Sequence, residues 1–431
     1  MKRALHLRGL WPVVLAAACS EAARRLLRPR GAEITPAEVD PRRYFSPVEI
    51  RRGARYARPQ LAIGLAGQVI QLAVLAGAVR YLARPGRRPL ADRVGARPGM
   101  GGALAAGVMS ASGTLTGLPL GALARRRSLA VGLSTQSWRD WLLDVAKSSA
   151  IETGLATGAG AAIVSLTRRY PRGWWLPASA GAVGVAGLMG TLAPVFLDPV
   201  FNRFEPLPAG PVRSDVLELA RAVGVTVGEV YEVDASRRTT GANAYVTGLG
   251  PSKRVVLFDT LLERYSRDEV RVVVAHELAH VRHRDVWRSL AYLALISPAA
   301  ALAVQRVSWL LSPEPGTAEA LPALALAAAL VATPVGLIAS RLSRAVERRA
   351  DADSLEFSRA PEAFISFQRS VALQNVADVT PPRWVKTLLA THPTTTERIG
   401  VALAYSASGG ASSEPPNSGK FLMPSRVSHL E

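Results

Sequence analysis

One cysteine in 431 residues excludes a disulfide within the chain and any cysteine-based metal site. Histidine is nearly as scarce, with six, so an imidazole metal centre must draw on a short roster. Acidic residues are also in deficit, 33 against 52 Lys and Arg, which leaves a net charge of +19. In a soluble chain that excess would suggest nucleic acid, but no nucleic-acid-binding motif accompanies it, and no nucleic-acid partner is expected. The arginines instead sit beside apolar runs, in RRLLRPR, RRGARYAR, RPGRRPLADR and RRR at 125–127, where membrane topology signals lie.

What the chain does have is long apolar runs rich in Ala, Gly, Leu and Val. Six approach the length of a bilayer crossing, near 61–79, 103–123, 150–166, 174–196, 290–311 and 321–340. The fold class expected is a predominantly α-helical integral membrane protein. It has six transmembrane helices, or seven if residues 1–20 also cross. That first stretch has a basic start and a short apolar run, and reads equally as a weak span, a signal-like segment or a surface anchor. Its AAAC ending only faintly suggests lipidation at Cys19. Gln68, Gln71 and Glu152 are polar residues within spans, expected to face a protein interior or a water-filled cavity.

The remaining segments divide around these spans. Residues 1–57 form a basic N-terminal region, 58–196 a membrane region, and 197–287 a soluble-looking block. Residues 288–340 are a membrane helix pair, 341–405 C-terminal helices, and 406–431 a Ser-, Gly- and Pro-rich tail expected to be disordered. With even numbers of spans between them, the N-terminal region, the Arg125 loop, the 197–287 block and the post-340 region share one side. Their arginine content places that side, and the catalytic site with it, in the cytoplasm, with the chain in the inner or plasma membrane of the cell.

Within the soluble block, the prolines of FLDPVFNRFEPLPAGPVRSD predict an extended crossing. SDVLELARAVG predicts a short helix capped by Ser214 and ended by Gly224. EVYEVD alternates like a strand, and NAYVTGLGPSKRVVLFD reads as two strands joined by a Gly-Pro-Ser turn. Ser266 and Glu269 have capping-box spacing and announce the next helix.

That helix carries HELAH, residues 276–280. His276 and His280, four apart, share one helical face and reach one ion, with Glu277 beside it as general base. The pattern predicts one zinc ion per chain and metal-assisted peptide hydrolysis. His283 stands about 10 Å along the helix from His276 and cannot easily join the same ion. No third histidine follows at metzincin spacing. The third ligand is sought on a later helix, where SRAVERRADAD offers Glu347, with Asp351 one turn on to orient a ligand histidine. By pattern alone Glu347 reads equally as a solvated carboxylate among arginines.

The order NAYVTGLGPSKRVVLFDTLL, AHELAH, SRAVERRADADS and THPTTTERI resembles the type 1 CAAX prenyl proteases, integral-membrane zinc endopeptidases. FSPVEIRRGARYARP, GLSTQSWRDWLLDVAKS and PVFNRFEPLPAG extend the resemblance over residues 45–404. It implies a helical membrane chamber with a small α+β zincin-like catalytic part at its mouth, cleaving extended peptides. It also implies His276, His280 and Glu347 as zinc ligands, Glu277 as base and Asp351 as a ligand histidine's partner. Asn243 and Ala244 would line the substrate strand, while His392 would stabilise the oxyanion and Arg398 would contact substrate. An ion-pair role is the other reading of Arg398. The partners implied are the lipid bilayer and an extended peptide or membrane-protein substrate, prenylated or misfolded. The competing expectations are a heat-shock-type membrane protease, which shares HExxH, and a non-catalytic membrane scaffold that retains a metal.

Overall fold

The computed structural model describes residues 2–31, 33–84, 98–248, 253–312 and 316–409. The arginine-rich 85–93 segment, the Gly-Pro-Ser turn and the tail from residue 410 lie outside the described residues.

Among the described residues, six helices are long and apolar enough to cross a membrane. They are α2 (Pro47–Leu82), α3 (Pro98–Ala130), α4 (Trp138–Arg169) and α5 (Trp175–Phe196), then α8 (Asp285–Leu311) and α9 (Leu321–Ser358). Each apolar run expected from the sequence falls inside one of them. The helices outlast the runs because backbone hydrogen bonding continues where hydropathy stops. The 36 residues of α2 span about 54 Å, far more than a hydrocarbon core of about 30 Å, so its first turns stand beyond the membrane. A capping box between Ser46 and Glu49 starts it there.

The central windows of α2 and α3 hold no buried residue, and Val69, Val74, Val108 and Leu115 are exposed. Only lipid removes such surface from water, which makes this a multi-pass integral membrane protein. Neighbouring spans run in the order α4, α3, α2, α9, α8, α5, and residues 170–174 join α5 back to α4. The spans thus form a ring of neighbours, in which α2 and α3 keep most of their apolar surface out of contact with protein. Gln68, Gln71 and Glu152 are exposed, so they do not lie in a protein interior. Where α3 and α4 touch, small residues are required. A Cβ on Gly102 would come within 2.6 Å of the Gly160 carbonyl oxygen and 2.7 Å of Val164 Cγ2.

The N-terminal run continues to Leu27 as one helix, α1 (Lys2–Leu27), and joins the bundle. Ala16 packs with Ala303, Val307, Ala327 and Val331, and the Ser20 hydroxyl bonds Tyr292 at 2.5 Å. Leu27 meets Arg288 near the start of α8, so α1 runs antiparallel to α8 along its length. Apolar burial against α8 and α9 compensates for a run too short to be recognised as a span.

The block after α5 forms a four-stranded sheet in the order β1-β2-β4-β3. β1 is Phe204–Pro206, β2 Glu229–Val233, β3 Ala244–Thr247 and β4 Arg254–Phe258. β2 and β4 are parallel and the other pairs antiparallel. Two expectations need correction here. The 197–210 stretch is not simply extended: it holds a helical turn, Asp198–Phe201, before β1. Helix α6 (Pro211–Ala222) begins at Pro211 after Gly210, and Ser214 lies inside it, because proline at the first helical position starts the helix earlier. Val216, Leu219 and Ala220 of α6 share a core with Val230, Leu257, Val270, Val274 and Leu278. That core fixes the motif helix, α7 (Arg267–Arg282), to the sheet, and the Ser266–Glu269 capping box opens α7.

Polar ties hold this block to one end of the helical ring. Arg238 pairs with Asp144 of α4 at 2.9 Å, Arg254 donates to the Pro194 carbonyl at 2.7 Å, and Ser134 bridges Thr239. Helices α10 (Pro361–Gln374) and α11 (Thr395–Ala407) complete the assembly at that end.

Candidate metal centre

Three long-range placements build the site. Helix α7 presents His276 and His280 from the sheet core. Helix α9 leaves the membrane as an unbroken rod and carries Glu347 about 10 Å beyond residue 340. The Ser354 hydroxyl donates to the Val272 carbonyl at 2.8 Å and pins the end of α9 against α7. One ligand atom from each of His276, His280 and Glu347 then lies within 4.8 Å of the others.

The donor atoms match a cation in chemistry as well as position. His276 Nδ1 lies 3.1 Å from Asp351, and His280 Nδ1 lies 3.0 Å from Asp285. These carboxylates accept from Nδ1 of each ring and turn both Nε2 atoms towards one point, as metal-ligating imidazoles require. The two Nε2 atoms stand 3.2 Å apart, and His276 Nε2 is 3.2 Å from Glu347 Oε2. Glu347 Oε2 is buried with no hydrogen-bond partner among the described residues. Two imidazole nitrogens and a carboxylate oxygen converging on one point are a donor set that fits a metal ion.

Burial pulls the His276 imidazole towards neutrality, but its bonds to Asp351 and Glu347 outweigh this and hold its pKa up at about 10. Without a metal this ring takes up a proton that the carboxylates beside it stabilise. Burial pushes the Glu277 carboxyl above the usual carboxylate range. That is the direction a proton carrier needs.

Asp285 was not singled out in the sequence, because helical spacing gives no signal for it. It is five residues past His280, too far for one helical face, and Arg284 in the left-handed region (φ 54°) breaks the helix between them. The break turns Asp285 back under His280. Arg349 bonds the same carboxylate at 2.5 Å, and Arg288 at 3.1 Å.

The other candidates occupy distinct positions. Asp351 is fully buried and Arg398 Nε reaches both its oxygens at 3.0 Å. Arg398 is thus in an ion pair with Asp351, and its guanidinium also backs His276 at 3.4 Å. His283 pairs with Asp353 at 2.8 Å, away from the ligand cluster. His392 is exposed and brings its Nε2 to 3.4 Å from Glu347 Oε2, on the open side of the ligand set.

Helix α7 packs beneath β3, the last strand of the sheet. The Phe258 N–H donates to the Asn243 carbonyl at 3.1 Å, so residues 243 and 258 are a bonded pair. In an antiparallel ladder the next bonded pairs are 245 with 256 and 247 with 254. Ala244 and Val246 therefore turn their N–H and C=O groups to the outer edge, where an extended chain can add as a strand.

Residues 206–406 match the family model described as peptidase family M48. Residues 33–203 match that described as CAAX prenyl protease N-terminal, five membrane helices. The chain is 31% identical over 301 residues to an uncharacterized metalloprotease, YhfN, of Bacillus subtilis, covering 68% of this chain and 71% of the relative. It is 32% identical over 178 residues to CAAX prenyl protease 1 of Saccharomyces cerevisiae, covering 40% of this chain but 39% of that protein. Among solved structures, Ste24p of S. mikatae superposes with a TM-score of 0.73 at 19% identity, over 91% of this chain and 97% of that one.

Proposed function

The chain belongs to peptidase family M48, as an integral-membrane metalloendopeptidase resembling CAAX prenyl protease 1, and from that premise we propose that it cleaves extended peptide segments with zinc at His276, His280 and Glu347. The observation that carries the metal assignment is the convergence of two Nε2 atoms and a carboxylate oxygen on one point, each imidazole oriented by its own aspartate. Two nitrogens, one carboxylate and an open fourth position are the donor set of a catalytic zinc site.

Zinc, when bound, polarises the scissile carbonyl and makes its water acidic enough to attack near neutral pH. The protein supplies the rest. Substrate adds to the outer edge of β3, pairing with the backbone of Ala244 and Val246 beside Asn243. Glu277 takes a proton from the attacking water and delivers it to the leaving amine. His392 donates a hydrogen bond to the developing oxyanion. Asp351, held by Arg398, and Asp285, held by Arg349, fix the two imidazoles. Arg398 is thus a positioning residue.

The substrates are prenylated C-terminal peptides or misfolded membrane polypeptides that reach the site through the helical ring. The match of residues 33–203 to the CAAX-type membrane domain favours this over a heat-shock-type protease. The site end faces the cytoplasm, in line with its arginine-rich segments.

The test combines zinc analysis of the purified full-length protein with cleavage of unfolded and farnesylated peptides, beside Glu277→Ala. Expected are about one zinc per chain in both forms and cleavage only in the unsubstituted one. Zinc without cleavage of any peptide would leave a metal-retaining scaffold, and absence of zinc would remove the site. A cysteine placed at Lys386 in a Cys19→Ser background should react with impermeant maleimide only from the cytoplasmic side. Labelling from outside would reverse the topology.

A further inference from the structure

Away from the metal centre, the outermost turns of α2 and α3 enclose a cleft of about 530 Å³ at the same end of the ring. Arg51, Arg52 and Arg55 line it from α2, and Arg127 lines it from α3. Their spacing on α2 puts three guanidinium-bearing side chains on one helical face. Among the described residues none of the four has a carboxylate partner. Arg52 donates to the Val131 carbonyl at 3.1 Å and Arg127 to the Arg55 carbonyl at 2.8 Å. Arg127 Nε is buried with no acceptor. The contrast is one turn away, where Arg58 pairs with Asp378 at 2.8 Å. Four like charges gathered in one concavity repel one another, and an anion placed among them removes that cost.

The cleft's height limits what the anion is. Arg55 lies six residues before the apolar run that starts at Leu61, about 9 Å along the helix. Arg127 lies four residues past Leu123, about 6 Å beyond the apolar part of α3. The headgroup layer is about 5–8 Å deep on each side of the hydrocarbon, so Arg127 stands within it and Arg55 at its outer edge, with Arg51 and Arg52 lining the same cleft a turn further out. Tyr56, whose hydroxyl bonds Ser128 at 2.6 Å, and Val131 add an amphipathic wall. Guanidinium forks suit phosphate oxygens, which they bind in pairs.

We propose that this cleft binds the phosphate-bearing headgroup of an anionic phospholipid, with Arg51, Arg52, Arg55 and Arg127 as its ligands. The lipid bridges the outer turns of α2 and α3 in the leaflet on the metal-site side.

The test is native mass spectrometry of the full-length protein in detergent, titrated with cardiolipin, phosphatidylglycerol or phosphatidylcholine. The protein is expected to take up one anionic lipid at a concentration about tenfold or more below that needed for phosphatidylcholine. Arg51→Gln with Arg55→Gln should reduce that preference to about twofold or less, since two of the four charges are gone. Arg42→Gln with Arg43→Gln, exposed arginines at the same end outside the cleft, should keep it. An undiminished preference in the first double variant, or its loss in the second, would reduce the effect to bulk charge and overturn the site. Millimolar inorganic phosphate, added alone, should leave the lipid in place. Displacement by phosphate would assign the cleft to the free anion and overturn the lipid.

Discussion

The Nδ1 atom of His280 rests 3.0 Å from a carboxylate oxygen of Asp285, across a helix break made by left-handed Arg284. The pair mirrors His276 on Asp351, although one aspartate follows its histidine by five residues and the other lies two membrane helices away. Asp285→Asn should therefore lower zinc affinity about 10- to 100-fold, and Asp351→Asn by a similar factor. Competition with a fluorescent zinc chelator measures both. An Asp285 variant with unchanged affinity would show that Asp351 alone orients the ligand set.

Glu277→Gln keeps the size of the side chain and removes the base. Peptide cleavage should fall by about 10²- to 10⁴-fold with zinc content intact. Loss of zinc in parallel with activity would instead make Glu277 part of the metal's support.

The pH dependence follows from His276. Its pKa rises from 6.5 to about 10 in the folded, metal-free protein, so its stabilisation is fully present below 6.5 and lost as the pH climbs through about 10. Metal-free protein should melt at lower temperature as the pH goes from 6.5 towards 10. Zinc binding at pH 7 to 8 should also release about one proton from this ring. Calorimetry in buffers of different ionisation enthalpy reads that proton directly, and a buffer-independent heat would contradict it.

At the edge of the sheet, Val246→Pro removes an outward N–H without touching the ladder to β4. One lost backbone hydrogen bond of about 0.5–1.5 kcal/mol should lower kcat/KM up to about tenfold at constant zinc content. Tyr245→Pro faces β4 and should reduce the folded yield instead.

In the membrane, Gly160→Leu has no room, because a Cβ at Gly160 already meets Ala106 and the Gly102 backbone. Forcing α3 and α4 apart should cost about 1–3 kcal/mol, seen as a lower melting temperature in detergent.

Much of this architecture was legible in the chain because its signals are local. Apolar runs located all six candidate spans, since hydrocarbon thickness sets their length directly. The capping box at Ser266 located the start of α7, alternation in EVYEVD located β2, and the two runs either side of the Gly-Pro-Ser turn located β3 and β4. The start of α6 was displaced because Pro211 competes with Ser214 as a helix opener, and sequence alone does not rank the two. The first helix was ambiguous because its burial comes from α8 and α9, which the N-terminal run does not contain.

The sequence by itself determined that this is a helical membrane protein carrying an HExxH helix, because hydropathy length and four-residue helical spacing are properties of a single segment. Only the tertiary structure decided how Glu347 stands to the two histidines and that Asp285 holds His280. It also decided that four arginines from two helices share one cleft. Those are relations between segments, fixed by the packing of α7 against α9 and of α2 beside α3, and no local periodicity encodes a distance between elements so far apart in the chain.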